Sequence, residues 1–537
     1  MPGWNFADAF EVVAEVLPDA PAQVHGDRRY TWKEFDRRSD GIALALLEAG
    51  VERQDKVALY VHNGPEYMEA CTGAWKAGLA PVNTNYRYTA DELAYLWDNA
   101  DAVAVVFHGT FTETIEAIRD KVPVRTWLWV DDGSGPCPDW ARPYEEAADL
   151  AADRTVASWG RDGDDLLMLY TGGTTGMPKG VMWRQDDLFQ SYSSAVAPQY
   201  VGKEPDLDLM RESLQGPGPK HIPACPLMHG TGWFTALMAM MTGGCVITLT
   251  NRTFDAVELL DTVEREGVNM MAIVGDAFAK PMLRALDAQP DRWDLSSLVA
   301  VISSGVMWSE DSKRRLLEHH PGMLLQDAFS SSEALNMGAS ISSAGAASQT
   351  AKFSLGPNAL VVGEDGRPVE PGSGEIGRVA VGGQVPVGYY KDPEKSAATF
   401  IEIDGKRYSM PGDWATVEAD GSLTLLGRGS VCINTGGEKV FPEEVEEALK
   451  SHAAVRDAVA VGIPDEKFGE AVTAVVEPEP DVLLDEAEVI AHVKQTLAAY
   501  KAPKRVLPID TIGRGPNGKV DYKRLRAFAE EQTAGSS

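Results

Sequence analysis

One segment constrains this chain more than any other. An apolar run, Leu166-Leu167-Met168-Leu169, leads into Tyr170-Thr171-Gly172-Gly173-Thr174-Thr175-Gly176-Met177-Pro178-Lys179-Gly180. Glycines let a backbone turn tightly and aim successive N–H groups at an anion. The threonine hydroxyls add donors or a metal ligand, and the lysine adds a point charge suited to phosphate. So dense a cluster of Gly, Thr and Lys directly after a buried strand argues against a plain surface loop. Nor is it a Walker A loop, whose lysine is followed by Ser or Thr; here Gly180 follows Lys179. The strand is therefore expected to end on a nucleotide site of another kind. Its candidate phosphate-binding residues are Thr171, Gly172, Gly173, Thr174, Thr175 and Lys179.

Around that strand, helical patterns alternate with short apolar runs. An amphipathic helix starts at Tyr30-Thr31-Trp32 and runs toward Gly50, Lys56–Val61 and Ala102–Phe107 read as strands, and Thr89-Ala90-Asp91-Glu92 has the form of a capping box. Alternation of this kind predicts α/β layers on largely parallel sheets. Beyond about Gly427 the pattern becomes compact: helix at Val445–Leu449, strands at Ala458–Ile463 and Val472–Val476, helix at Ala487–Ala498. That is a small α+β unit near the minimum size of an independent domain. The expected organisation is a large N-terminal domain, residues 1–429, and a small mobile C-terminal domain, residues 430–537.

Further blocks recur down the chain. They are Pro226-Leu227-Met228-His229-Gly230-Thr231-Gly232, Ser303-Ser304-Gly305-Val306, Asp327-Ala328-Phe329-Ser330-Ser331-Ser332-Glu333, Tyr408-Ser409-Met410-Pro411-Gly412-Asp413, Gly427-Arg428-Gly429-Ser430, Thr435-Gly436-Gly437-Glu438-Lys439-Val440 and Gly515-Pro516-Asn517-Gly518-Lys519-Val520. In this order, and together with the Gly/Thr/Lys loop, they resemble the adenylate-forming superfamily of acyl-CoA synthetases, peptide-synthetase adenylation domains and firefly-type luciferases. The resemblance runs over nearly the whole chain.

It implies a set of roles. His229 borders the carboxylate and the pantetheine entrance. Gly305 lies along the adenine and Phe329 stacks on it, with Ser330 and Ser332 in the same block. Glu333 holds Mg²⁺ together with Thr174, a hard-oxygen pair as that ion requires. Asp413 accepts from the ribose hydroxyls, and Arg428 lies near the ribose or phosphate. Gly436 and Gly437 belong to a loop lining the thiol tunnel. Lys519 is the catalytic lysine of adenylation. Ser330 stands where the family usually has glycine, Ser332 where it has threonine, and Ser430 where the hinge is usually Asp or Lys.

The activity implied is that of an ATP-dependent acyl-CoA ligase. A carboxylic acid is activated as its acyl-adenylate, the small domain rotates about Ser430, and coenzyme A takes the acyl group. ATP, Mg²⁺ and coenzyme A are the expected cofactors and co-substrates. Trp183-Arg184 and Gly275-Asp276-Ala277-Phe278-Ala279-Lys280-Pro281 look like the subgroup of bacterial ligases for long acyl chains and sterol side-chain acids. Met228, Trp233, Met307, Trp308 and Met337 are candidates for an apolar acid pocket, against the plainer reading of such residues as core. An enzyme that stops at the adenylate and one that loads a carrier protein are the competing readings.

Composition agrees with an enzyme of small molecules. Forty-nine Lys and Arg stand against 80 Asp and Glu, a formal net charge of -31, which opposes nucleic-acid binding. The 5 cysteines are scattered and form no C-x-x-C pair, so neither a zinc site nor a disulfide framework is expected. The longest apolar stretch, Thr235–Leu249, is broken by Gly243-Gly244 and too short to span a bilayer. A cytoplasmic protein without stable membrane insertion is expected, and a homodimer is left open.

Overall fold

The computed structural model describes residues 3–534 apart from 152, 174–175, 307, 430–431, 436–437, 466–468, 481 and 516–517. Local chemistry starts its helices where expected. Thr31 Oγ accepts from Glu34 N at 3.3 Å while Glu34 accepts from Thr31 N at 2.8 Å, heading the helix Trp32–Glu48. Thr89 and Glu92 repeat this reciprocal cap at the head of Ala90–Asn99.

The described residues form three sheets. In the first, Leu166–Gly173, Ala80–Asn83, Lys56–Tyr60, Ala102–His108 and Thr126–Val130 lie side by side and parallel. In the second, Pro21–His25, Cys245–Thr248, Lys220–Pro223, Met270–Ile273, Ala300–Ser303 and Leu324–Ser331 are parallel in that spatial order. The layered α/β architecture is as expected, with parallel pairing concentrated in these two stretches. Beyond Leu324–Ser331 the second sheet continues antiparallel through Ala334–Ser342, Lys352–Leu355, Ser422–Arg428 and Asp413–Val417. Tight turns join Leu324–Ser331 to Ala334–Ser342 and Asp413–Val417 to Ser422–Arg428, where parallel strands would need crossovers.

The helix Pro65–Lys76 is buried at every residue and touches strands of both sheets. Its Lys76 carries a charge into the core, where Glu11, Asp36 and Asp40 meet the ammonium at 2.9, 2.7 and 2.9 Å. A buried ion survives only when paired in this way.

The third sheet, Val455–Asp465 and Gly469–Pro478 with Ile433–Thr435, Glu438–Val440 and Arg505–Pro508, belongs to the C-terminal segment. Alternation along Val455–Asp465 sends Ala458 and Ala460 to one core, with Val445, Leu449, Val489 and Val493. Val459 and Val461 point to the other, with Leu525 and Ala529. Among the described residues no helix is long and apolar enough to cross a membrane.

Candidate active site

The Gly/Thr/Lys loop is the tip of a β-hairpin. Leu166–Gly173 and Gly176–Arg184 pair antiparallel, with Thr171 opposite Lys179 and Gly173 opposite Gly176. Thr174 and Thr175 lie outside the described residues, and Gly172 and Gly173 end the first strand.

Glu333 sits on a second tight hairpin, in the turn between Leu324–Ser331 and Ala334–Ser342. Two contacts bind the hairpins to each other. The indole N–H of Trp183, a fully buried residue on the first, donates to the carbonyl of Ser332 at 2.9 Å. Tyr389, whose short strand pairs with Gly176–Arg184, donates its hydroxyl to Glu333 Oε1 at 2.9 Å. The same ring lies 5.7 Å from Lys179 Nζ. Desolvation, and then the ammonium of Lys395, push Lys179 down to about 8. Ser330 Oγ accepts from Asn336 N at 3.3 Å, which fastens the approach to the turn. Phe329 is buried, its ring 5.4 Å from that of Phe353.

His229 occupies the N-cap position of the helix Gly230–Met240, extended at φ −114, ψ 151, with its side chain unused by the cap. The turn before it is fixed by two asparagines. Asn83 Nδ2 donates to the carbonyls of Tyr170 and Met228 at 2.9 and 2.7 Å, and its Oδ1 accepts from Tyr170 N at 2.6 Å. Asn63 donates to Cys225 O at 3.1 Å and accepts from Leu227 N at 2.7 Å. Asn83 thereby joins the strand that feeds the Gly/Thr/Lys hairpin directly to the turn that carries His229.

Residues of the C-terminal segment close over this turn. Gly518, at φ +68, packs so tightly that a Cβ there would lie 3.1 Å from Val274 Cγ1 and 3.4 Å from both Val306 methyls. Gly305, at φ +99, faces Thr231 and the same Val274. The turn is held by Gly515 N donating to Lys519 O and by Gly518 N donating to Gly515 O, both at 2.8 Å. Arg514 braces it, donating to Gly518 O at 3.1 Å while forking onto Asp457 at 2.6 and 2.8 Å. Lys519 is exposed, and its charge reaches the half-buried His229. Desolvation first, then the Lys519 and Arg87 cations, push that imidazole down to about 3, so it is neutral at any ordinary pH.

Asp413 and Arg428 are direct partners across an antiparallel pair, with Asp413 buried and the Arg428 side chain outside the described set. Gly427, at φ +121, is covered by the carboxylate of Glu443; a Cβ there would lie 2.1 Å from its Oε2. Gly436, Gly437 and Ser430 lie outside the described residues.

Two groups stand out in the sequence-derived set, apart from the Asp413–Arg428 pair and the core residue Phe329. His229, Gly305 and Lys519 meet at the seam with the C-terminal segment, while Lys179, Ser332 and Glu333 meet across the two hairpins. Among the described residues the suggested apolar pocket does not assemble. Met228 and Trp233 are sealed in one core, Trp308 in a second and Met337 in a third, and Met307 lies outside the described residues. Asn63, Asn83, Tyr389 and the Arg514–Asp457 pair were missed, since each acts through a partner distant in sequence.

The chain matches the AMP-binding enzyme family over residues 10–390 and the AMP-binding enzyme C-terminal domain over residues 444–519. It is 39% identical to a medium/long-chain-fatty-acid–CoA/3-oxocholest-4-en-26-oate–CoA ligase of Mycobacterium marinum, over 98% of this chain and 96% of that protein. It is also 39% identical to a 3-oxocholest-4-en-26-oate–CoA ligase of Rhodococcus rhodochrous, with the same two coverages. Among solved structures, the anthranilate CoA ligase AuaEII in complex with anthranoyl-AMP superposes with a TM-score of 0.83 over 99% of each chain, at 20% identity. ATP-bound MatB from Rhodopseudomonas palustris superposes with a TM-score of 0.80, at 25% identity over 99% of this chain and 100% of that one. On these matches and this architecture, the chain belongs to the AMP-binding enzyme family.

Proposed function

We propose that the protein is an AMP-forming acid–thiol ligase that joins a long-chain fatty or steroid side-chain carboxylic acid to coenzyme A by way of an acyl-adenylate. The observation that carries this reading is the seating of the Gly518-Lys519 turn against Val274 and Val306, beside Gly305 and His229. It supports the reading of Lys519 as the cation that would face the joining carboxylate and α-phosphate. The division into domains 1–429 and 430–537 is part of this reading. The acid class is supported by the 39% identity to ligases whose names carry those acids.

In the first half-reaction the carboxylate oxygen attacks the α-phosphorus and pyrophosphate departs. Negative charge grows on the oxygens between acid and phosphate, and Lys519 is placed to stabilise it. His229 stays uncharged and so offers a neutral polar wall rather than a proton. Asp413 would accept from the ribose hydroxyls, with Arg428 opposite it, and Gly305 would run along the base. In the second half-reaction the thiol of coenzyme A displaces AMP from the acyl carbon, with Gly436 and Gly437 assigned to the thiol path.

The donor set suits magnesium. Tyr389 occupies Glu333 Oε1, which leaves the second carboxylate oxygen for a cation, and no cluster of three or more acidic, His or Cys ligands exists among the described residues. One carboxylate plus substrate phosphates is how Mg²⁺ is usually held, and in this reading Glu333 would hold it together with Thr174, which lies outside the described residues. When bound there, the ion would neutralise charge on the phosphate oxygens.

The test is pyrophosphate release with ATP and magnesium against fatty, steroid, aryl and amino acids, with and without coenzyme A. Coenzyme-A-dependent turnover on the lipid acids is expected. Release without thioester formation would move the protein to adenylate-only or carrier-loading chemistry, and turnover of aryl or short acids alone would remove the lipid assignment. Lys519→Ala should cripple adenylation and largely spare thioester formation from preformed adenylate.

A further inference from the structure

We propose that Lys313, Ser348 and Thr350 form a positioning relay, which holds the C-terminal segment in its seated, adenylating arrangement; this rests on the adenylate-forming reading above. The relay starts at a charge in the core. Lys313, in the helix Glu310–His319, has a fully buried side chain. Its ammonium lies 4.0 Å from Asp327, at the head of the Phe329 block, and donates to Ser348 Oγ at 2.9 Å. A buried ion is kept only where its surroundings compensate it. Ser348 is itself fixed. Its N–H donates to Ser342 Oγ at 2.8 Å, and its hydroxyl lies 2.8 Å from that of Ser342 and 3.1 Å from that of Ser340. The ammonium thereby ties Ser348 to the strand Ala334–Ser342, the antiparallel neighbour of the strand that carries Phe329.

Two residues on, the chain reaches the C-terminal segment. Thr350 Oγ1 accepts from the N–H of Glu310, the first residue of the Lys313 helix, at 3.0 Å. It donates to Glu447 Oε1 at 3.1 Å. Glu447 belongs to the C-terminal segment, on the helix Pro442–Lys450. One hydroxyl accepts and donates at once, so Thr350 links the two helices directly. The other oxygen of Glu447 stands 3.9 Å from Lys450 on its own helix. Among the described residues, Thr350 is the one side chain that hydrogen-bonds this carboxylate. The residue after it, Ala351, holds φ at +60, a left-handed conformation that a Cβ disfavours. Its carbonyl accepts from Leu425 N at 2.8 Å. Strain of this kind persists only where the surroundings over-determine it, and here they present the Thr350 hydroxyl to Glu447.

The test separates the half-reactions in the whole protein. Thr350→Val removes the hydroxyl and keeps the branched shape. Pyrophosphate release at saturating ATP and acid should fall about fivefold, the weight of one ordinary hydrogen bond. Thioester formation from preformed acyl-adenylate and the KM for coenzyme A should hold, and Thr350→Ser should recover most of the loss. Glu447→Ala should match Thr350→Val, and the double variant should lose no more than either alone, because both delete the same contact. Ser348→Ala cuts the relay one step earlier and should show the same split. Equal slowing of both half-reactions, additive losses in the double variant, or native pyrophosphate release in Thr350→Val or Ser348→Ala would overturn the proposal. If the native protein releases no pyrophosphate from ATP, the adenylate reading fails, and trypsin then decides the relay. The C-terminal segment should be cut away about fivefold faster in Thr350→Val than in the native protein, and equal rates would overturn the relay.

Discussion

Replacing Gly518 by alanine should separate the two half-reactions. The added methyl meets two obstacles. The turn holds φ at +68, where an L-residue costs roughly 1–2 kcal/mol. That cost stays with the turn in any position of the small domain, so it cancels between half-reactions. The second obstacle exists only while the turn is seated. The methyl carbon would stand 3.1 Å from Val274 Cγ1 and 3.4 Å from two Val306 methyls, against about 3.5–4.0 Å for a relaxed carbon contact. Valine is stiff at χ1, so the strain falls on the seating itself, and overpacking by one methyl costs about 1–2 kcal/mol. Adenylation should therefore slow about 5- to 30-fold, read as pyrophosphate release with saturating ATP and acid. Thioester formation from preformed acyl-adenylate and coenzyme A should change little. Adding Val274→Ala should return part of the loss, with a coupling of about 1 kcal/mol. Equal slowing of both half-reactions, or no slowing in either, would refute the assignment of this contact to the adenylation arrangement.

Other consequences follow from contacts already described. Asn83→Ala removes three hydrogen bonds and strands buried main-chain atoms of Tyr170 and Met228; a loss of about 3 kcal/mol is expected, seen as a lower denaturation midpoint, and an unchanged midpoint would refute it. Trp183→Phe deletes the donor to Ser332 O while keeping most of the ring, so it should raise the magnesium concentration for half-maximal rate a few-fold, about 1 kcal/mol, with little effect on melting; a melting collapse with unchanged magnesium demand would assign the indole to packing alone. Because His229 is held at about 3, its imidazole is neutral above pH 4 and should place no limb in the rate profile between pH 5 and 8. An acid limb near pH 6 that vanishes in His229→Ala would contradict this.

The candidate site could be proposed from the chain because its motifs are local. The Gly/Thr/Lys loop, the two-residue partnership of each capping box and the Gly518-Lys519 pair announce themselves within a few positions. What could not be read is long-range. Asn83 is a lone polar residue at a strand end, and its partners lie 87 and 145 positions away. Trp183 served in the sequence only as a mark of a subgroup; its role comes from a carbonyl 149 residues on. The opposite error befell Met228, Trp233, Trp308 and Met337. Their bulk near the family blocks suggested a pocket, yet strand and helix geometry distributes them among three cores. Proximity to a motif says little about which face a side chain takes.

The asparagine clamps carry one more consequence. Asn63 and Asn83 grasp Cys225, Leu227, Met228 and Tyr170 by their amide atoms alone. Such a grip does not depend on what side chains those positions bear. The side chains from 225 to 228 are buried, so the changes this grip tolerates are apolar and volume-conserving, and the turn keeps its shape through them. A library restricted to such residues at 225–228 with both asparagines fixed should yield mostly folded proteins, and one varied at Asn63 and Asn83 should not.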